Sequence, residues 1–193
     1  MNTTSLFVEL VIIGVGGACW LALAVLSVFG YDWVPTGKID ALPAILAVLA
    51  PVYVLGIVID RLGGFLFQGW DRRLRQKHFP KAGDYQRART VVFDQSQSLR
   101  EWFQYSRSRL RICRGWTVNA LLCLLTANLF IWSALPLDAP RLALSLWGTI
   151  GFGLLALGVG SAWRRLAEGE YKRLWDEYGF AREREARRAG GPA

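Results

Sequence analysis

The sequence has few of the residues that build metal sites and disulfide frameworks. Of 193 residues, three are cysteine and one is histidine. Cys19, Cys113 and Cys123 are widely spaced and form no C-x-x-C pair, so structural disulfides are not expected. Because His78 is the only histidine, a zinc site of ordinary Cys/His spacing cannot be assembled within the chain. We therefore expect no metal and no cofactor.

Motifs of common enzyme classes are also missing. The sequence has no Walker loop and no H-E-x-x-H motif, and its only histidine leaves no plausible catalytic triad. Residues 151–156 match G-x-G-x-x-A, but they lie in a long uncharged stretch without a preceding strand, so the dinucleotide-binding interpretation fails. For an enzyme acting on lipid, the best available set is Asp60 with Arg107 or Arg109, which supplies neither a nucleophile nor a metal site. We expect a non-enzymatic protein.

Charge is absent from four long stretches, although the chain carries a net charge of +8. The uncharged segments are Leu10–Gly30, Ala41–Ile59, Trp116–Leu135 and Leu142–Trp163. About 20 residues of helix, at about 1.5 Å each, cross a hydrocarbon core of about 30 Å. Together with 53% hydrophobic residues, these stretches predict an all-α integral membrane protein with four transmembrane helices.

The first uncharged segment could be mistaken for a signal peptide, because residues 22–24 have the small-x-small form of a cleavage site. A signal peptide begins with a basic region, and no Lys or Arg precedes Lys38. We expect this segment to remain as a permanent helix.

The basic residues are concentrated on one side of the predicted topology. Residues 61–114 contain 13 Lys/Arg and residues 164–188 contain 8 of the 23 in the chain. By the positive-inside rule, the central segment and both termini face the cytoplasm, in keeping with a bacterial inner membrane. The basic excess is then a topology signal, and nucleic acid is not an expected partner.

Two of the predicted helices run past the membrane. From Ser96 there is no Gly or Pro before Gly115, and apolar residues recur at three- and four-residue steps, which predicts one helix over 96–135. The fourth helix continues its apolar stripe to Tyr178, although Gly169 and Gly179 weaken that prediction. We expect both extensions to form a helical cytoplasmic layer. Four segments follow: 1–67 with transmembrane helices 1 and 2, a basic helical segment at 68–112, 113–165 with transmembrane helices 3 and 4, and a helical tail at 166–193. Within them, residues 76–92 are expected to be a loop or a short helix, and the tail is expected to fray after residue 181.

Four arginines precede the third span on one helical face. Arg100, Arg107, Arg111 and Arg114 lie at steps of 7, 4 and 3 residues. Guanidinium groups at headgroup depth suit bidentate phosphate contacts. The alternatives are general anchoring by anionic membrane lipid, a defined site for a phosphorylated ligand or a specific lipid, and, least supported by motifs, contact with nucleic acid.

Asp60 interrupts the apolar run of the second helix. A carboxylate at that depth is costly unless it is paired, so we expect it to meet an arginine of the 107–114 region. Asp60, Arg61 and Arg109 are the candidates for a structural or gating ion pair, and an ion-path carboxylate is the alternative. Glu9 flanks the first span and is expected to be interfacial.

Small and polar residues mark faces on which helices can pack closely. Gly14, Ala18 and Ala22 recur every fourth residue of the first helix, and Ser145, Thr149 and Gly153 do so on the fourth. Asn128 is expected to hydrogen-bond a neighbouring helix. Asn119 points the opposite way at 100° per residue, which argues against a simple polar channel. Pro51 is expected to kink the second helix.

These features favour a multi-pass membrane protein that self-associates. The leading hypothesis is a sensor, an effector or a channel-like protein that responds to a cytoplasmic or lipid signal, with anionic lipids and further copies of the chain as partners. The alternative is a membrane anchor or adaptor that recruits a soluble cytoplasmic protein.

Overall fold

Helices are the only regular secondary structure over the residues that the computed structural model describes, which are 3–31, 41–81, 83–95, 97–136 and 140–189. In chain order the helices are α1 (Thr3–Phe29), α2 (Ala41–His78), α3 (Asp84–Gln95), α4 (Gln97–Ser133) and α5 (Arg141–Ala189). Of these, α1, α2, α4 and α5 are long and apolar enough to cross a membrane. The predicted all-helical class, with four helices long and apolar enough to span a membrane, is confirmed.

Local signals account for several helix ends. Gly30 follows α1 with φ of 69°, and its N–H donates to the carbonyl of Leu26 at 3.1 Å, so a left-handed glycine closes this helix. Gly83, with φ of 92°, precedes α3, where its carbonyl accepts the N–H of Arg87 at 3.0 Å. The last turn of α2 carries Arg75, Lys77 and His78, where positive charge complements the helix dipole.

The long helices are more continuous than the sequence suggested. Helix α4 passes through Gly115 without a break, as predicted. Helix α5 also passes through Gly169 and Gly179 and continues to Ala189, beyond the point where fraying was expected. Of the two alternatives for residues 76–92, α3 supplies the separate helix. Helix α2 stays continuous at Pro51, so the proline does not end it.

Two compact units divide the chain, and each has its own packing. Unit 1 comprises Met1–Phe65 and Arg111–Ser161, and unit 2 comprises Leu66–Leu110 and Ala162–Ala193.

Glycines set the centre of unit 1, where α1, α2 and α4 meet. A methyl group on Gly14 would overlap the carbonyl oxygen of Val52, and one on Gly56 would overlap that of Leu10, so the backbones of α1 and α2 are in contact. Such close approach is how small residues favour helix association in lipid. On α4, a Cβ at Gly115 would lie 2.8 Å from the side chain of Ile13, which is fully buried.

Aromatic and aliphatic side chains form the core of unit 2. The buried members of this core are Phe79, Ala88, Val92, Phe103, Tyr171 and Leu174, drawn from α3, α4, α5 and the residue that follows α2. Phe79 packs edge-on against Tyr85 and Trp175, with ring centroids 5.5 and 5.3 Å away. Unit 2 therefore has a hydrophobic core of its own.

Candidate charge cluster in the helical bundle

Two carboxylates and two guanidinium groups meet inside unit 1. Glu9 on α1, Asp60 on α2, and Arg111 and Arg114 on α4 form what we call the four-charge cluster. Arg114 Nη2 donates to Asp60 Oδ1 at 2.9 Å, and Arg111 Nη1 donates to Glu9 Oε2 at 3.2 Å. Arg111 Nε also lies 4.0 Å from Asp60 Oδ1. The cluster is formally neutral and joins three helices.

Helix geometry explains how the cluster assembles. Arg111 and Arg114 are three residues apart, so they share one face of α4. Arg114 extends over consecutive glycines of α2: a Cβ on Gly63 would lie 3.0 Å from Arg114 Cγ, and one on Gly64 3.8 Å from its Cζ. These glycines leave room for the arginine stem, and the side chain reaches Asp60 one turn earlier on α2.

Glu9 is buried, its three partners are partly buried, and the cluster is incompletely hydrogen-bonded. The side chain of Glu9 is 5% exposed, and those of Asp60, Arg111 and Arg114 are 20%, 21% and 26% exposed. Among the described residues, neither Glu9 Oε1 nor Arg114 Nε has a hydrogen-bond partner. A buried charge left without its partner costs about 3–5 kcal/mol. The stability of the bundle therefore depends on both ion pairs.

Asn119 extends the polar interior by about one and a half turns of α4 beyond Arg114. Its side chain is fully buried, and its Nδ2 donates to the carbonyl of Ile13 at 2.7 Å. A Cβ on Gly16 would lie 2.5 Å from the same nitrogen, so glycine is required where α1 passes over Asn119. Its Oδ1 has no partner in the part of the chain that the structure describes.

The four arginines of the predicted face have different partners. Arg111 and Arg114 belong to the four-charge cluster, whereas Arg107 lies in unit 2 with its Nε 3.7 Å from Glu170 Oε1. Arg100 donates to the carbonyl of Phe93 at 2.8 Å. Three of the four guanidinium groups therefore face carboxylates, and their binding to lipid or phosphate stays a prediction.

The other arginines proposed for an ion pair with Asp60 lie elsewhere. Arg109 stacks over the ring of Tyr105, with 5.7 Å between Cζ and the ring centroid. Arg61 is exposed, and within the described ranges no carboxylate lies within ion-pair distance of it. Asp60 therefore meets Arg114 and Arg111, which had been assigned to the phosphate-binding face.

Sequence reasoning missed a buried polar group in unit 2. Glu170 is 7% exposed and accepts a hydrogen bond from Ser106 Oγ at 3.0 Å. Arg107 Nη2 approaches the hydroxyl of Tyr85 at 3.3 Å. A signal was available: Glu170 stands three residues after Ala167 and four before Leu174, in the middle of an apolar stripe of α5.

The predicted packing residues lie in two places within unit 1. Gly14 forms the contact between α1 and α2, and Ala18 and Ala22 line an apolar groove beside it. On α4, Asn128 Nδ2 donates to Thr149 Oγ1 of α5 at 3.0 Å, and Asn128 Oδ1 accepts from Ser145. A Cβ on Gly153 would lie 4.0 Å from Leu124 Cδ1, an ordinary van der Waals contact.

The four-charge cluster can pair charges and thereby couple the positions of α1, α2 and α4. In the described ranges, no three His, Cys, Asp or Glu residues are grouped so as to hold a metal ion. No protein-family model matches the chain, and neither a curated protein nor a solved structure is significantly similar to it.

Proposed function

We propose that this chain is a non-enzymatic multi-pass membrane protein that self-associates and responds to a cytoplasmic or lipid signal, as a sensor, effector or channel-like protein. The observation that carries the proposal is the four-charge cluster, which lies between helices long and apolar enough to cross a membrane. Ionisable groups buried among such helices are expensive and are generally retained for function. We assign the cluster the role of a switch between two packings of the bundle.

The position of Arg111 between two carboxylates supports a switch. Its Nη1 is 3.2 Å from Glu9, and its Nε is 4.0 Å from Asp60. A small shift of α4 relative to α1 would exchange the closer partner for the more distant one. Discrete ion-pair rearrangements of this kind convert small displacements into two-state transitions.

Self-association is supported by the apolar part of α5. Only 6% of the residues in its most apolar stretch are buried within the chain, against 33% for α4. A Cβ added at Gly148, Gly151 or Gly158 would have nothing within 4 Å. Four spans in one chain enclose little space, so a channel would need several copies, most simply in cyclic symmetry.

Ion flux from reconstituted vesicles tests the proposal. The full chain is placed in phosphatidylcholine vesicles containing a graded fraction of phosphatidylglycerol, and potassium release is recorded. We expect flux that depends on the phosphatidylglycerol fraction, and a change of about tenfold or more in rate for Asp60→Asn, since one ion pair then loses its charge. Asp94→Asn, at an exposed acid, is the matched control and should behave like the wild type.

The molecular mass in detergent separates the versions of this proposal. A protein that is strictly monomeric at several concentrations and gives no flux would contradict the self-associating, channel-like function. An Asp60→Asn variant with wild-type flux would instead contradict the switch role of the cluster.

A membrane adaptor is the second candidate, and the exposed arginines of unit 2 favour it. Arg72 and Arg73 on α2, and Arg164 and Arg165 on α5, are all exposed around a unit with its own hydrophobic core. Such a surface suits an acidic soluble partner. The adaptor function predicts that changing Arg72 and Arg73 to Gln abolishes capture of a protein partner, while vesicles containing the wild type show no flux.

A further inference from the structure

An apolar groove of about 620 Å³ runs between α1 and α2 in unit 1. Its lining includes Ala18, Ala22 and Val25 of α1 and Pro51, Leu55 and Val58 of α2. The groove follows from the packing: Gly14 brings the two backbones together, and the alanines four and eight residues later add only a methyl group each. The volume falls in the range of about 300–1,000 Å³ that is usual for small-ligand sites.

The length of the groove matches one leaflet of a bilayer. Its lining on α2 extends from Val48 to Val58. Ten residues of helix cover about 15 Å, which is half of a hydrocarbon core about 30 Å thick. A single extended acyl chain fits such a groove in length and in polarity.

A free cation stands one turn beyond the end of the groove. Val54, Val58 and Arg61 follow one another at steps of four and three residues, so they form one row along α2. Arg61 is exposed and, over the residues that the structure describes, has no carboxylate partner. The neighbouring Asp60 is engaged by Arg114 and Arg111, and the four-charge cluster is neutral, so the charge of Arg61 is uncompensated.

We propose that this groove is a binding site for one anionic phospholipid, with an acyl chain along the α1–α2 groove and the headgroup phosphate on Arg61. Guanidinium binds phosphate with two parallel hydrogen bonds, and the long arginine side chain reaches headgroup depth from a helix position just inside it. An anionic headgroup is favoured over phosphatidylcholine, because a choline group would bring a second cation beside Arg61, which has no carboxylate partner among the described residues. The site is independent of the switch role of the cluster.

Native mass spectrometry of the purified full chain tests the site. The protein is titrated with phosphatidylglycerol or with phosphatidylcholine of the same acyl chains, and the lipid-bound fraction is measured. We expect one phosphatidylglycerol to bind about tenfold more tightly than phosphatidylcholine, because both lipids offer a phosphate to Arg61 but the choline group brings a second cation beside it. Arg61→Gln should remove that preference and leave the weaker binding of both lipids. Ala22→Phe should remove the binding of both, because its ring fills the groove.

Two variants control for charge and for size. Arg72→Gln removes another exposed arginine of α2, and Gly69→Phe adds a ring elsewhere on α2, where nothing lies within 4 Å of the Cβ. Both should bind phosphatidylglycerol as the wild type does. The proposal is overturned if wild-type protein shows no preference for phosphatidylglycerol, or if Arg61→Gln keeps that preference. If wild-type protein binds neither lipid and Ala22→Phe lowers the oligomer mass, the groove is instead a contact for a second copy. Arg61→Gln alters an exposed side chain, so its result does not depend on whether the Ala22 variant folds.

Discussion

Replacing Arg111 by methionine tests whether the buried carboxylate of Glu9 depends on that arginine. Among the described residues, Arg111 supplies the hydrogen bond to Glu9, whose other oxygen already has no partner. The side chain of Glu9 is 5% exposed, so water cannot readily replace the guanidinium. Removing one partner of a buried pair costs about 3–5 kcal/mol, and we expect Arg111→Met to lower the free energy of unfolding by about 4 kcal/mol.

The double variant Glu9→Met/Arg111→Met separates the loss of the ion pair itself from the cost of leaving the Glu9 carboxylate buried without a partner. Apolar residues of similar volume often replace a buried ion pair without loss of stability, so the second change should restore most of the free energy of unfolding. Arg111 is also 4.0 Å from Asp60, and the rescue will fall short by whatever that contact contributes. Arg72→Met, at an exposed arginine, should change the free energy of unfolding by less than about 0.5 kcal/mol.

Denaturant unfolding in detergent micelles, followed through the nine tryptophans, measures these differences. The four proteins, wild type, Arg111→Met, Glu9→Met and the double variant, form a double-mutant cycle. A cost below about 1 kcal/mol for Arg111→Met, with no coupling to Glu9, would refute the argument that Arg111 holds this carboxylate inside the bundle.

Three further changes test the packing described above. Gly56→Ala should lower the free energy of unfolding by about 2 kcal/mol or more, because its methyl group would overlap a carbonyl oxygen of α1. Gly69→Ala, with nothing within 4 Å of the Cβ, should be neutral or stabilising. Equal effects of the two substitutions would contradict the close crossing of α1 and α2. Asn128→Leu should cost about 0.6–1.7 kcal/mol through its lost bonds to α5, measured in the same micelle assay. Tyr171→Phe removes a hydrogen bond of 2.8 Å to Asp71 and should cost about 1 kcal/mol; a stabilised variant would show that this bond does not compensate for burying the hydroxyl.

The long helices could be predicted because the determinants are local. Four uncharged stretches of membrane length, together with the absence of Gly and Pro between Ser96 and Gly115, correctly predict α1, α2, α4 and α5 as the long helices. The C-terminal end of α5 was harder to predict, since Gly169 and Gly179 each lower helix stability by about 1 kcal/mol relative to alanine. Packing of Tyr171 and Leu174 into the core of unit 2 offsets that cost.

The partners within the candidate site were less accessible from the sequence. The helical period predicts Arg100, Arg107, Arg111 and Arg114 on one face of α4, but it does not say which helix lies opposite each turn. Glu9 was expected to be simply interfacial, whereas it is buried against Arg111, 102 residues away along the chain. Pairing across such a separation is determined by tertiary packing, which helical periodicity does not predict.

The separation between Glu9 and Arg111 also has a consequence for biogenesis. Ribosomes add about 5–20 residues per second, so α1 waits roughly 5–20 s for the arginine that neutralises its carboxylate. During that interval α1 and α2 can join through Gly14 and Gly56, but the acid of α1 has no cation from α4. The first helical pair is therefore a nascent intermediate with an unneutralised charge. A chain that terminates before Arg111 would retain that defect.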